Sequence, residues 1–425
     1  MAISYLIFIF MVIFLLKSYH KAFIALILLS TWLNHFVIFG ADIFTYLSIV
    51  SLALFPFKVK NISGRIKMMP IKIGLLLVFL SYTITFVFTN DNSVVSYFTN
   101  VLRDIINVFI FWCVFIKSPQ QYIKFIGAII FSYAIIVGGY TLFETVFGIN
   151  PYIEFVNTLG LYKEDFLITE IRFGLKRSQS IFSMHTTNGA VLLMLFCVIS
   201  WLKYKTDVIK NHNKTILCLL IMLFISILTT GARSAILSLV ICMFMFYDRV
   251  FRKFSNFIII GVFVVSLFFI FQPFIIDVIE SFTDTQSVSG SSSDMRQEQL
   301  AEVIRFFNKS VLIGNGINYT FTTAINLSNG LYGAESVWFQ LLIDRGVLGV
   351  MTFVIFICQC VYFVWKSNSH NLLFVILGFI VFNTLSSIPH FNIYYLFAYL
   401  TIMVEAKRKI LTNQSLNKIY YHAKH

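Results

Sequence analysis

Charge is scarce in this chain. Only 12% of its 425 residues are Asp, Glu, Lys or Arg, whereas 58% are hydrophobic, and the mean hydropathy is +0.84. A soluble globular domain carries about a quarter charged residues. That class is excluded, and an integral membrane protein built from spans of about 20 apolar residues is implied. Cysteine is sparse and poorly placed for cross-linking. The six cysteines, Cys113, Cys197, Cys218, Cys242, Cys358 and Cys360, all lie inside apolar runs. A disulfide framework would put them in outer loops, so they read as buried small hydrophobes. Cys358 and Cys360 are two apart, a spacing that does not bring side chains together on a helix. Metal-ligand spacing is lacking throughout, so neither a metal nor a cofactor is expected. No repeat of sequence or hydropathy marks an inverted-repeat transporter. The first apolar run starts at residue 2 with no basic segment before it and no small-residue cleavage site after it. It is expected to be a span rather than a removed signal peptide.

What is present is an alternation. Apolar runs fall at about 2–16, 22–39, 43–57, 71–88, 98–116, 122–147, 187–202, 214–230, 232–248, 256–275, 346–365, 371–388 and 390–404. The connectors near Lys17–Lys21, Lys58–Lys72, Lys117–Lys124, Lys203–Lys214, Arg249–Lys253, Lys366 and the tail 405–425 hold 22 basic and three acidic residues. The alternate connectors hold ten basic and 16 acidic residues. By the positive-inside rule the first group is cytoplasmic. The expected fold is therefore one all-α polytopic membrane domain over residues 1–425. It has 13 spans with the N-terminus outside, or 12 with a cytoplasmic N-terminus if 2–16 does not cross. Two outer connectors are long, 148–186 and 276–345, and the tail 405–425 is cytoplasmic.

Seven of the 11 arginines but only three of the 21 lysines then lie on the outer side. Arginine's planar fork grips phosphate and carboxylate oxygens in pairs, whereas lysine is a solvated point charge. An anionic group, phosphate above all, is the expected ligand of that face. The first long loop carries Glu164, Asp165, Glu170, Arg172, Lys176, Arg177 and His185 before the polar helix entry Thr186-Thr187-Asn188-Gly189. The second carries a flexible Ser-rich stretch, 287–293. It is followed by Asp294 as N-cap with Gln297 as its capping-box partner. Residues 295–308 then read as a short amphipathic helix with Arg296, Leu300, Val303 and Phe307 on one stripe and Arg305 toward water. An arginine on a packed face needs an anionic partner, either a protein carboxylate or a ligand.

Arg233 stands at the outer start of a span, after Thr230-Gly231-Ala232. There the free helix N–H groups and the guanidinium would suit a phosphate, and a snorkelling anchor is the alternative. Arg103 and Asp104 are neighbours that cannot face one another on a helix, so inter-helix contacts are expected of them. Glu335 precedes a helix-like run at 336–343, where capping alone would explain an acid. Asp344-Arg345-Gly346 reads as a turn into the next span. His390, after Pro389, reads as structural before catalytic.

Four pieces occur in a recognisable order. Arg177-Ser178-Gln179-Ser180-Ile181-Phe182 with Asn188-Gly189 comes first, and Thr230-Gly231-Ala232-Arg233-Ser234-Ala235 second. Arg296 with Lys309-Ser310-Val311-Leu312-Ile313-Gly314-Asn315-Gly316 follows. Glu335-Ser336-Val337-Trp338-Phe339-Gln340-Leu341-Leu342, with Gly346 and Gly349, is the last. Together, over about 170 residues, they resemble the O-antigen ligase and polymerase family, and the first 150 residues match it only as unlabelled spans. The first piece has His185-Thr186 where that family usually has proline-asparagine. The last has Glu335-Ser336 where the ligases usually have histidine-asparagine, which favours a polymerase.

The resemblance implies a metal-independent glycosyltransferase in the bacterial inner membrane. It would move a glycan from undecaprenyl diphosphate to a lipid-linked repeat unit at the periplasmic face. Its partners would be the lipid-linked oligosaccharide, membrane lipid and a chain-length regulator protein, with no nucleic acid. Arg177, Arg233 and Arg296, with Arg172 in reserve, would clamp the diphosphate. Glu335 would be the general base, so that Glu335, Arg233 and Arg296 form the catalytic set. The rivals are a ligase acting on lipid A–core and a lipid-linked oligosaccharide flippase. A flippase should carry charges at mid-span, and here they gather at one face.

Overall fold

The computed structural model describes residues 2–89, 93–158, 171–172, 175–204, 213–246, 293–331, 335–386 and 392–408. Over these the chain is an all-α polytopic membrane protein, and its helices begin and end close to the apolar runs. In chain order they are α1 (Ala2–Leu28), α2 (Ile43–Lys58), α3 (Ile62–Lys67), α4 (Lys72–Phe88) and α5 (Val94–Phe115). Then come α6 (Pro119–Phe147), α7 (Pro151–Thr158), α8 (His185–Tyr204), α9 (Asn213–Thr229) and α10 (Arg233–Met243). The chain closes with α11 (Ser293–Phe307), α12 (Val337–Lys366), α13 (Leu373–Leu385) and α14 (396–408). The helical stretches 3–28, α5, α6, α8 and α12 are each long and apolar enough to cross a bilayer. The run at 256–275 and most of the Ser-rich stretch lie outside the described residues.

The first two apolar runs are joined differently from the expectation. Both belong to α1, which breaks at Ser18 (φ −140°, ψ 60°) inside the basic Lys17–Lys21 connector. The run at 22–39 is helical only to Leu28. It continues through a short turn of helix, Ser30–Leu33, into β1 (Val37–Ile38), which pairs antiparallel with β2 (Ala41–Asp42). Asp42 then caps α2, its carboxylate accepting the Thr45 amide at 2.7 Å. A second ladder, β3 (Ile171–Arg172) with β4 (Leu175–Lys176), leads into the 177–180 turn. Two cysteines are not buried. Cys218 and Cys358 are exposed among exposed apolar neighbours such as Leu217, Ile221 and Met351, as a lipid-facing surface requires.

Glycine decides how the N-terminal end of α12 is built. That helix breaks at Gly346 (φ 60°, ψ −155°). Gly314 (φ 74°) sits against the break so closely that a Cβ there would lie 2.3 Å from the Asp344 carbonyl. Backbone bonds lock the two segments together. Asn315 N donates to Ile343 O (2.9 Å), Gly316 N to Asp344 O (3.1 Å), Val347 N to Val311 O (2.9 Å) and Leu348 N to Leu312 O (3.0 Å). Asp344 accepts both the amide and the hydroxyl of Thr320, at 2.7 and 2.6 Å. A small separate core of Val303, Phe306, Tyr319, Ala324, Leu331 and Ile343 fills the space beneath this cap. Among the described residues it is a second core, separate from that of the spans, and it packs α11 against the N-terminal end of α12.

A polar network ties the same ends together. Asp104 accepts from the Tyr82 hydroxyl and from Asn392 Nδ2, the latter at 2.9 Å. Arg103 reaches Asp42 at 3.4 Å. The expected inter-helix contacts of this pair are present, each residue with its own partner. Arg345 departs from its reading as a turn residue. Its side chain is buried, its guanidinium lies 4.2 Å from the Tyr82 ring centroid, and Nη2 donates to the Tyr394 hydroxyl at 3.1 Å. A buried guanidinium needs such acceptors and π faces.

Candidate active site

Glu144 builds the first wall of the site. It lies in the last turn of α6 and is fully buried. Its Oε2 accepts the backbone amides of Gln179 (2.9 Å) and Ser180 (2.7 Å), and its Oε1 lies 3.7 Å from Lys176 Nζ. Ser180 takes a left-handed conformation (φ 55°), which two charge-assisted bonds can hold. Asn150 Nδ2 donates to Ser180 O at 2.8 Å, and Asn188 Nδ2 to Ser178 O at 3.0 Å. The turn that carries Arg177 is therefore fixed from α6, from the start of α7 and from α8. Its guanidinium points across to α10's approach, where Nη2 donates to the Gly231 carbonyl at 3.4 Å.

The second wall is the 229–235 turn. Gly231 is left-handed (φ 61°), and Arg233 opens α10. This turn packs on α8 at Gly189, where a Cβ would meet Ala235 Cβ at 2.9 Å. The Asn188-Gly189 and Gly231–Ala235 pieces, more than forty residues apart in sequence, are thus one contact. From α10, Ser234 Oγ bonds Ser386 Oγ at 2.7 Å, just beyond the end of α13.

That end of α13 is the common anchor. Arg296 Nη2 donates to the Leu385 carbonyl at 3.3 Å. Ser336 Oγ donates to the Asn383 carbonyl at 3.5 Å, and Trp338 Nε1 to Thr384 Oγ1 at 2.8 Å. A helix C-terminus leaves its last carbonyls without intrahelical partners, and cations are favoured there. Arg296 meets both needs. Glu335 is half-buried beside Ser336. Ser336 occupies the N-cap position of α12, and no acid lies in that helix's first turn. Glu335 therefore stands one position before the cap.

Four of the expected residues, Arg177, Arg233, Arg296 and Glu335, thus sit on segments joined by direct bonds through Gly231, Ser234 and the 383–386 end of α13. Arg172 lies in β3, and its side chain lies outside the described residues, as do Glu164, Asp165, Glu170 and His390. The stripe on α11 is turned by about one position from the expected one. Gln299, Val303 and Phe306 are buried, Leu300 is exposed at 45% and Phe307 is half-buried. Phe306 fills the small outer core, and that contact sets the phase. Arg305 faces water as expected, paired with Glu302 at 2.7 Å with 52% of its side chain exposed. The residues that sequence reading missed are Glu144 and the Asn383–Ser386 helix end. Glu144 had a signal, an acid within an otherwise apolar span. The helix end acts through carbonyls and hydroxyls and had none.

Chemically, the arrangement offers three arginines and one carboxylate on separate segments that are bonded to one another. It suits an anion that bridges segments, and a proton acceptor beside it. Residues 217–354 match the family described as O-antigen ligase. That stretch includes Arg233, Arg296 and Glu335, and it bears out the resemblance to the O-antigen ligase and polymerase family. A glycosyltransferase type of activity goes with that family in general. No curated protein matches the chain.

Proposed function

We propose that the chain is a polysaccharide polymerase of a bacterial cytoplasmic membrane. It transfers a glycan from undecaprenyl diphosphate to a lipid-linked repeat unit at the outer face. The observation that carries this reading is that the Arg233, Arg296 and Glu335 segments bond one helix end, with the Arg177 turn joined to them through Gly231. In the reaction the acceptor hydroxyl oxygen attacks the anomeric carbon of the donor, and the bond to the diphosphate oxygen breaks. The proton goes to Glu335, and the electron pair leaves with the diphosphate. Arg177, Arg233 and Arg296 face the charge that grows on that leaving group, with Arg172 as a further contact. Fixed donors of this kind typically supply about 10²–10³ in rate each, and a placed general base about 10²–10⁴.

The second reading is a ligase that moves the finished glycan onto lipid A–core, which the description of the matched family favours. Glu335-Ser336 in place of histidine-asparagine favours the polymerase. Deleting the gene separates them. Loss of a polymerase leaves surface glycans of a single repeat. Loss of a ligase leaves long glycan on the carrier lipid and none on lipid A–core, and that pattern would overturn the proposal. Loss of a flippase leaves neither.

A further inference from the structure

At the other end of the bundle lies a second cationic cluster. Tyr122 and Glu144 both belong to α6, 22 residues apart, so the two sites are separated by about 33 Å along that helix. The connectors 17–21, 58–72 and 117–124 hold nine lysines and arginines and no acid. The fold brings them together. Arg65 of α3 is buried, with 8% exposed, and Nη1 donates to the Cys113 carbonyl at 2.5 Å, satisfying the C-terminal end of α5. Trp112 Nε1 donates to the Arg65 carbonyl at 2.9 Å. His20 stacks on Tyr122 with ring centroids 6.2 Å apart, and both Arg65 and Lys117 act on it electrostatically. Lys58 Nζ donates to Leu16 O at 3.3 Å. Lys17, Lys21 and Lys117 are exposed at the rim.

His20 Nε2 is buried and has no hydrogen-bond partner. A buried imidazole nitrogen without a partner is costly, and here its charged neighbours are all cations. A topology signal needs only charge in the connector. It does not require a buried arginine bonded at a helix end, or an unbonded histidine beside it. Leu16, Phe57 and Met68 are exposed around the cluster at 50%, 82% and 60%, which puts it at the edge of the apolar surface.

We propose that His20, Arg65 and Lys117 form a binding site for a phosphate group, that of an anionic phospholipid headgroup in the leaflet opposite the arginine site. The acyl chains would lie along Leu16, Phe57 and Met68, and the headgroup phosphate would accept from Lys117 at the rim and from His20 Nε2 once the imidazole turns outward from Tyr122. Basic pockets between spans hold such headgroups in the same way.

The test uses the full chain in detergent, with bound lipid counted by native mass spectrometry. The probes are phosphatidylglycerol, phosphatidylcholine and inorganic phosphate. Phosphatidylglycerol should be retained about tenfold over phosphatidylcholine, and the His20→Ala/Lys117→Ala double variant should lose that preference. Arg65 is left in place because it closes the end of α5. Lys117→Arg, which keeps the charge, and Lys366→Ala, on another connector, should both bind as the wild type. Millimolar inorganic phosphate should not displace the lipid, and displacement would assign the same site to free phosphate. Equal retention of the two lipids, an unchanged double variant, or an equal loss in Lys117→Arg overturns the proposal.

Discussion

Glu144 holds Ser180. The carboxylate at the end of α6 accepts the Ser180 amide at 2.7 Å and keeps that residue in a left-handed turn three positions after Arg177. It also accepts from Gln179 and lies near Lys176. Glu144→Ala would leave the two buried amides of Gln179 and Ser180 without their acceptor, at a cost of about 1–3 kcal/mol for each, while Lys176 would keep the Gly148 carbonyl. The turn, rather than the spans, would give way. The expected outcome is normal membrane insertion, loss of long-chain glycan and new protease cleavage near residues 177–180. Glu144→Gln keeps one acceptor oxygen and should retain part of the activity. An Ala variant with an unchanged chain-length ladder would show that Arg177 needs no such support.

Arg296 and Arg305 are nine residues apart on one short helix but differ in what they touch. Arg296 binds the Leu385 carbonyl, and Arg305 pairs with Glu302 in water. An exposed ion pair of this kind is worth about 0–1 kcal/mol. Arg305→Ala should therefore leave chain length near normal, whereas Arg296→Ala should abolish elongation. Arg296→Lys should not rescue it, because one ammonium cannot bond a carbonyl and a diphosphate in the fork geometry of a guanidinium. Comparable glycan ladders from Arg296→Ala and Arg305→Ala would remove Arg296 from the site.

The limits of the sequence are physical and can be traced to particular residues. Helices such as α4, α6, α8 and α9 lie where the apolar runs predict, because span length is set by bilayer thickness. The break at Gly346 was legible from Asp344-Arg345-Gly346. The burial of Arg345 was not, because its acceptors come from α4 and from residue 394. Periodicity alone places Leu300 on the packed face of α11, but a stripe of four positions fits two phases about 100° apart. Phe306, meeting Tyr319 at 6.1 Å, decides between them. The arginines of the site stood out by their residue type. The helix end that gathers them consists of backbone carbonyls and small hydroxyls, which leave no mark in a sequence.

Gly314 is expected to be intolerant of any side chain. Its φ of 74° is unfavourable for an L-residue, and a Cβ would lie 2.3 Å from the backbone of Asp344 and Arg345. These are backbone atoms in a bonded lock, so they cannot swing aside. Gly314→Ala should detach the outer cap, lower the melting temperature of the purified protein and expose Gly316–Phe321 to protease. Gly127 provides the control, since a Cβ there meets nothing within 4 Å. Gly127→Ala should melt as the wild type or slightly higher, because alanine is the better helix former. Equal melting of the two variants would mean that the cap is looser than its bonds imply.

Glu335 is the residue on which the proposed polymerase chemistry depends most directly. It stands just before the N-cap of α12, beside a serine and a tryptophan that bond the same helix end as Arg296. Glu335→Gln keeps size and hydrogen bonding but cannot take a proton. If Glu335 is the base, turnover should fall by about 10²–10⁴ while binding of the lipid diphosphate is kept. Arg233→Ala should differ by losing both, with weaker donor binding as well as slower transfer. Measuring elongation of a purified lipid-linked repeat, alongside retention of undecaprenyl diphosphate, distinguishes these effects. Glu335→Asp, which is one methylene shorter, should recover part of the rate, because the proton acceptor is restored at a longer reach. If Gln and Asp variants elongate equally well, proton removal lies with another group.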